Sequence, residues 1–474
     1  MWNKIVKNTL WLTSGEVIGR LIRAVLVIYA ARILGASDWG TFSYVLSLAA
    51  LFTLFADAGL GAVLTRELVK YPGQQTQYFS TSFFIKLFFL LAASLGIIFL
   101  IPIFTKINLP QNLIILTAFL VIFDSLRVFS FSITRALEKM HLEAIINIIT
   151  QIAIVGLGLW ALVTIASIES LALAYVVGSG VGLLVSIFII RDWLKKISSN
   201  FNRSLVKKII YIAWPFALLG MLTGVILNTD IIMLGWLKEA QDIGFYSVAQ
   251  KIILVLYAFP ALIATSSFPA FTRLANNKDT KEFSNLIVKS LKVIFMMSLP
   301  ITAGGMIVGF DFIDLIFGSA YHASVTTFQI LLLSLVINFP ITIIGNALFA
   351  HNKQNEFIKY SSLAAGSNII FNFLFIPIWG IEGAAISTIS TQLISNTFIW
   401  FKMKQVNDFK LGNRLNKILI ATIIMSALVW LMQLLNIVVW AIIPIAILIY
   451  LLALKLLKET ALQSLLEAAT KRAS

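Results

Sequence analysis

Apolar stretches of roughly 20 residues recur along this sequence between short polar breaks, and that spacing restricts the fold more than any other feature. A helix of about 20 apolar residues crosses the ~30 Å hydrocarbon layer of a bilayer. Water cannot satisfy backbone amides there, so a segment that crosses must pair its own N–H and C=O groups, as a helix does. The 474 residues are 59% hydrophobic and 12% charged, with a mean hydropathy of +0.94. An ordinary soluble core cannot hide that much apolar surface. No stretch remains for a soluble domain. The expectation is an all-α membrane protein of about fourteen transmembrane helices.

Hydropathy places the spans near 9–34, 40–63, 80–104, 111–135, 144–166, 169–190, 208–236, 243–268, 285–309, 324–349, 357–378, 381–401, 418–435 and 438–456. Lys and Arg concentrate in cytoplasmic loops. With the N-terminus (Lys4, Lys7) inside, every second break is basic: Arg66 and Lys70, Arg135 and Lys139, Arg191 to Lys208, Arg273 to Lys292, Lys353 and Lys359, Lys402 to Lys417, and the tail from Lys455 to Arg472. The outer breaks hold only Arg32, Lys106 and Lys238. One missed helix would invert every later loop, so the alternation supports an even count, both termini in the cytoplasm and a plasma membrane location. The net charge of +15 is therefore a topology signal and not a nucleic-acid footprint. The first span carries Glu16, Arg20 and Arg23 with no small-residue cleavage site after it, so it reads as a retained helix. Trp39, Trp193, Trp236, Trp379 and Trp400 fall at span ends, where aromatic anchors sit.

An internal repeat straddles the long basic break. Gly15-Glu-Val-Ile-Gly19 corresponds to Gly220-Met-Leu-Thr-Gly224, and Trp39-Gly-Thr-Phe-Ser43 to Ile243-Gly-Phe-Tyr-Ser247, with offsets of 205 and 204 residues. Chance recurrence of glycine-rich helix starts is the plainer alternative. Duplication implies two pseudo-symmetric six-helix bundles around a central cavity, plus two extra C-terminal helices. The expected division is 1–195 for the first bundle, 196–207 for a cytoplasmic linker, 208–405 for the second bundle, and 406–474 for the last two spans and the tail. No charged residue occurs from Ile418 to Leu454, which suits a lipid-facing pair.

A charge within a span costs about 2.5–3.5 kcal/mol on insertion scales, so each needs a partner or an aqueous cavity. Apart from those assigned to the breaks or standing at the first residues of a span, nine occur: Glu16, Arg20, Arg23, Asp57, Lys86, Asp124, Arg127, Asp230 and Lys251. Glu16, Arg20 and Arg23 follow an i, i+4, i+7 spacing and share a helix face. Two readings compete. The charges neutralise one another, as Glu16 with Arg20 and Asp124 with Arg127 are spaced to do, or the cations line a wet cavity. Pairing suits Asp57 and Lys86, near hydrated span ends. A cavity suits Arg20, Arg23 and Arg127, whose guanidinium groups fork onto phosphate oxygens. Lys251 is a further candidate cation, and it can also pair with Asp230. The acids Glu16, Asp57, Asp124 and Asp230 are coupling or structural groups, and an intramembrane Asp can bind a proton or Na⁺. Pro215, Pro260, Pro300 and Pro340 fall inside spans 7 to 10, as hinges or as static kinks.

Cysteine is absent, which excludes thiolate metal sites and nucleophiles. There is no phosphate-binding loop ending in Gly-Lys-Ser/Thr and no His-Glu-Xaa-Xaa-His. His141, His322 and His351 are scattered, so neither a metal, a cofactor nor a catalytic centre is expected, and the outer loops are too short for a catalytic domain.

Four stretches carry a family resemblance: Ala30-Ala-Arg-Ile-Leu-Gly-Ala-Ser-Asp-Trp-Gly-Thr-Phe-Ser43; Ala56-Asp-Ala-Gly-Leu-Gly61 with Thr65-Arg-Glu67; Asn228-Thr-Asp-Ile-Ile-Met-Leu-Gly235 leading into Ile243-Gly-Phe-Tyr-Ser-Val-Ala-Gln-Lys-Ile252; and Asn368 to Ile386, ending Glu382-Gly-Ala-Ala-Ile386. With them the sequence resembles the polysaccharide exporter branch of the multidrug, oligosaccharidyl-lipid and polysaccharide exporter superfamily, which includes O-antigen flippases. The resemblance implies the two-bundle fold and transfer of a polyprenyl-diphosphate-linked oligosaccharide to the outer leaflet for cell-surface polysaccharide synthesis. Its partners would be that substrate, membrane lipids and other polysaccharide-assembly membrane proteins. A drug/cation antiporter of the same superfamily is the alternative, with an acid-dominated cavity expected. A membrane-embedded polysaccharide polymerase would need a large outer loop.

Overall fold

The computed structural model describes residues 2–197, 200–277 and 279–463. Among the basic residues that set the topology, Lys278, Lys471 and Arg472 lie outside the described residues, as do the side chains of Lys4 and Lys7. Every regular element among the described residues is helical, which is what an apolar solvent demands of the backbone. The helices are α1 (Trp2–Asp57), α2 (Leu60–Lys70), α3 (Gln75–Phe104), α4 (Gln111–Ala136), α5 (Met140–Thr164), α6 (Ile168–Leu194) and α7 (Arg203–Leu237). They continue with α8 (Ala240–Leu256), α9 (Ala258–Asn276), α10 (Thr280–Phe317), α11 (Ser324–Ala350), α12 (Asn355–Val406), α13 (Asn416–Leu434) and α14 (Val439–Leu456).

Among the described residues, 11 helical stretches are long and apolar enough to cross a membrane, and the chain is a multi-pass membrane protein. The fourteen spans expected from hydropathy divide the chain more finely at two helices. The 52-residue α12 turns at Gly380 (φ +58°), and α1, which is not among the 11, turns at Gly35 (φ +75°). Both glycines occupy backbone conformations that cost L-residues dearly. They fall where hydropathy separates spans 11 from 12 and 1 from 2.

The chain forms two compact units, Met1–Ser247 and Val248–Ser474. In the first, α7 packs with the early helices: Ile209 and Ala213 join Val63, Leu64, Leu68, Phe79 and Phe129 in one buried cluster. The turn between α1 and α2 makes this possible. Ala58 and Gly59 both have positive φ, and a Cβ on Gly59 would sit 2.6 Å from the backbone at Ala213 and Ala217.

In the second unit, α13 and α14 bury one face against α10. Met425, Val429, Ile442 and Tyr450 pack with Met296 and Val308, and the Tyr450 hydroxyl donates to the Met296 carbonyl at 2.9 Å. Their other faces expose Ile423, Trp430, Leu434, Leu448 and Leu452, as lipid-facing helices do. Trp39 departs from the anchor expectation. It is buried beside Phe42, with ring centroids 5.9 Å apart, because α1 bends just before it and turns that side chain into the unit.

Candidate functional site

Eight of the nine charged residues within spans belong to the first unit, and the structure groups most of them around α5 and α4. On α1, Gly15 and Gly19 are buried against α5: a Cβ on Gly15 would come 2.8 Å from the Ala144 Cβ, and one on Gly19 would come 3.1 Å from the Gln151 side chain. The glycine pair thus marks close helix contact. The space left at Gly19 lets Gln151 lie along α1, where its Oε1 accepts from Arg23 Nε at 2.9 Å. The Arg23 guanidinium also stands 5.9 Å from the ring centroid of Tyr175 on α6.

One turn earlier on α5, the Asn147 Oδ1 accepts from Arg127 Nη1 at 2.6 Å. Arg127 pairs through Nη2 with Asp124 on its own helix, lies over Phe131 and is 7% exposed. Gly182 of α6 makes room for its stem, because a Cβ there would come 2.8 Å from the Arg127 Cδ. Arg127 Nε is buried with no hydrogen-bond partner among the described residues. Asn147 and Gln151 therefore form a polar ladder on α5 that holds a cation of α4 and a cation of α1. Neither amide carries charge, so a search for intramembrane charge overlooks both. Their i, i+4 spacing in an otherwise apolar helix is the signal that finds them.

Arg20 is different. It pairs with Glu16, and both side chains are exposed, at 47% and 64%. It is the most accessible cation of the group, whereas Arg127 is enclosed by three helices. Asp57 and Lys86 form a separate pair at 3.5 Å, with Lys86 fully buried and its ammonium 6.0 Å from the Phe129 ring centroid. Asp230 is buried and accepts from the Tyr246 hydroxyl at 2.6 Å. Lys251 is half-buried on α8 in the second unit.

Lys251 apart, the intramembrane polar contacts described in the second unit join uncharged groups. Tyr257, at the break between α8 and α9, donates to Ser334 at 2.7 Å and accepts from Gln392 at 3.2 Å, while Tyr360 donates to Asn396 at 3.0 Å. Pro260 stands just after that break, where its ring cannot accommodate the carbonyl four residues back. Pro215, Pro300 and Pro340 lie within α7, α10 and α11, which continue through them. His322 meets Asp314 at 2.8 Å and His351 packs on Phe283. Among the described residues no three His, Asp or Glu side chains cluster as metal ligands.

The model of a family described as polysaccharide biosynthesis protein matches residues 5–275, more than half of the chain. This chain belongs to that family. A second model, MatE, matches residues 215–374. A relative in Shigella flexneri, named a putative O-antigen transporter, is 25% identical over 403 residues, covering 81% of this chain and 94% of its own. The probable low-salt glycan biosynthesis flippase of Haloferax volcanii is 22% identical over 391 residues, 81% of this chain and 80% of its own. The lipid II flippase MurJ in an inward closed conformation superposes with a TM-score of 0.77 at 17% identity, over 95% of this chain and 98% of that one. That likeness shows the fold.

Family membership gives the quoted motifs a physical reading. Gly35, Gly59 and Gly380 supply the positive-φ turns. Asp230 and Tyr246 tie the two parts of the third motif together. A Cβ on Gly383, in the fourth motif, would overlap the Phe375 carbonyl oxygen. The motifs build the bends and crossings of the fold, and the cations Arg20, Arg23 and Arg127 lie outside them.

Proposed function

We propose that this chain carries a polyprenyl-diphosphate-linked oligosaccharide from the cytoplasmic to the outer leaflet of the plasma membrane, for assembly of a cell-surface polysaccharide. Family membership supports the class of cargo. The observation that carries the mechanism is the placing of Arg20 and Arg23 on α1, one exposed and one tethered to Gln151 and facing Tyr175. An exposed guanidinium in hydrocarbon is expensive, so this face of α1 borders water.

A glycan cannot cross the hydrocarbon alone, because its hydroxyls and phosphates would lose their hydrogen bonds. A hydrated slot removes that cost while the lipid tail stays among acyl chains. Arg20 and Arg23 hold the diphosphate in this reading. Arg127 positions the α5 amides from behind, and Lys251 is a further cation for the same cargo. A proton or Na⁺ at an intramembrane carboxylate, Asp124 or Asp230, drives the cycle, and Pro215, Pro300 and Pro340 act as hinges. Both termini lie in the cytoplasm, and polysaccharide-assembly membrane proteins receive the product.

The test is depletion of the protein in cells, followed by chemical or enzymatic detection of lipid-linked glycan on each leaflet. Accumulation on the inner leaflet, rescued by the wild type and not by an Arg20→Ala/Arg23→Ala variant expressed at equal level, is the expected result. A variant that rescues fully would remove those arginines from the mechanism. A cell that accumulates no lipid-linked glycan would remove the cargo. The drug/cation antiporter is the second reading, favoured by the MatE match over 215–374; it predicts changed drug resistance on depletion and no trapped glycan.

A further inference from the structure

A cavity of about 550 Å³ lies in the second unit, where the start of α10, the turn leading into α13 and the segment after α14 meet. Lys289, Lys292, Arg414 and Lys417 line it, and Glu459 is the one carboxylate among the described residues that line it. That carboxylate is already engaged. Glu459 is buried, pairs with Lys292 and accepts from the Ala461 backbone N–H at 3.2 Å. Lys292 is further fixed by Thr460 at 2.9 Å, and Lys417 reaches the Lys458 carbonyl at 3.0 Å.

Lys289 and Arg414 are exposed and have no side-chain partner among the described residues. The cavity is therefore a rigid, ion-paired floor beneath unspent positive charge. Depth matters as much as charge. Immediately beyond Lys417 begins the run from Ile418 to Leu454 without a charged residue, and Leu419, Ile420, Leu452 and Leu456 are exposed on that side. Cations at the polar boundary with apolar surface directly beneath are what a phospholipid requires of a site.

We propose that this pocket binds the phosphodiester headgroup of an anionic phospholipid from the leaflet on the C-terminal side, with its acyl chains along α13 and α14. Basic pockets between helix ends attract anionic headgroups by roughly 1 kcal/mol per Lys or Arg near the surface. The bound lipid would fasten the last two helices to α10.

The experiment uses the full-length protein in a neutral detergent, read by thermal unfolding and native mass spectrometry. Added cardiolipin or phosphatidylglycerol should raise the midpoint and appear as a bound lipid. Removing three charges in Lys289→Gln/Arg414→Gln/Lys417→Gln should weaken binding on the order of a hundredfold. Arg414→Gln alone, at an exposed position without a partner, should fold normally and weaken it by several-fold.

Phosphatidylcholine should do nothing. As a control, Arg203→Gln/Lys207→Gln/Lys353→Gln removes equal charge elsewhere and should leave binding near the wild-type level. An unchanged lipid shift in the triple pocket variant overturns the proposal, as does an equal loss in the control variant. Inorganic phosphate reproducing the shift at the same concentration overturns it too, by making the pocket a free-anion site.

Discussion

Ser43 and Ser247 share a hydroxyl hydrogen bond of 3.2 Å, and they are 204 residues apart. That separation is the offset of the internal repeat, so residues occupying the same place in each copy touch one another. The neighbours agree. A Cβ on Gly40 would overlap the Ala240 carbonyl, and a Cβ on Gly244, its counterpart, would overlap the Ala36 carbonyl. Contact between equivalent residues is what a local two-fold relation between duplicated helices produces. Chance recurrence of glycine-rich helix starts does not account for it.

The two glycines should therefore be the least replaceable positions at this crossing. Gly40→Ala or Gly244→Ala forces backbone apart, which costs about 1–3 kcal/mol or more. Ser43→Ala removes one interhelical hydrogen bond, worth on average about 0.6 kcal/mol in a membrane. Thermal unfolding in detergent should rank both glycine variants well below Ser43→Ala. Equal midpoints would mean the crossing relaxes without resistance.

Asn147 should behave as a structural partner of Arg127. Its replacement by Leu leaves a buried guanidinium N–H without an acceptor, a loss of about 1–3 kcal/mol. Gln151→Leu should leave stability nearly intact, because the Arg23 it releases is only half-buried, and should lower transport instead. Midpoints and glycan transfer measured on both variants separate the roles. A stable Asn147→Leu protein would show that Arg127 finds water.

Acid should loosen the segment after α14. Burial pushes the Glu459 carboxyl up, but the Lys292 ammonium and the Ala461 amide outweigh burial and hold it below the usual carboxylate value. A group whose folded pKa is depressed stabilises the fold above its unfolded pKa, and that contribution disappears as pH falls through the folded pKa. Midpoints recorded from neutral pH down through the carboxylate range should fall in the wild type. Glu459→Gln should start lower and fall less over the same range, and parallel curves would assign the acid sensitivity to other groups.

Much of this was legible in the sequence because its carriers are local. Apolar run length gives the helices, and charged side chains announce themselves by their cost. The kink at Gly35 and the crossing at Gly40 fall within one quoted motif. What escaped detection depends on partners far away in the chain. Nothing local says that Gln151 will meet Arg23, that Arg127 will be walled in by Gly182 and Asn147, or that Trp39 will turn inward after the bend. Glycine, asparagine and glutamine in a helix have several possible meanings, and only the neighbouring helix chooses among them.

Lys86 is the strictest case of a charge that tolerates no error. Its ammonium is fully buried and meets Asp57 at 3.5 Å, while the Asp57 side chain remains 27% exposed. Removing one partner of a buried pair costs about 3–5 kcal/mol when the other charge is left stranded, whereas replacing both with apolar groups is often neutral. The two single variants should then differ. Asp57→Asn strands the enclosed ammonium and should lower the unfolding midpoint severely. Lys86→Met leaves a carboxylate that can reach solvent and should cost less, and the double variant should recover most of the loss seen in Asp57→Asn. A double-mutant cycle on the purified protein measures this coupling directly. Additive losses would place the ammonium in contact with water, and Asp57 would then be a neighbour of Lys86 without being its counter-ion.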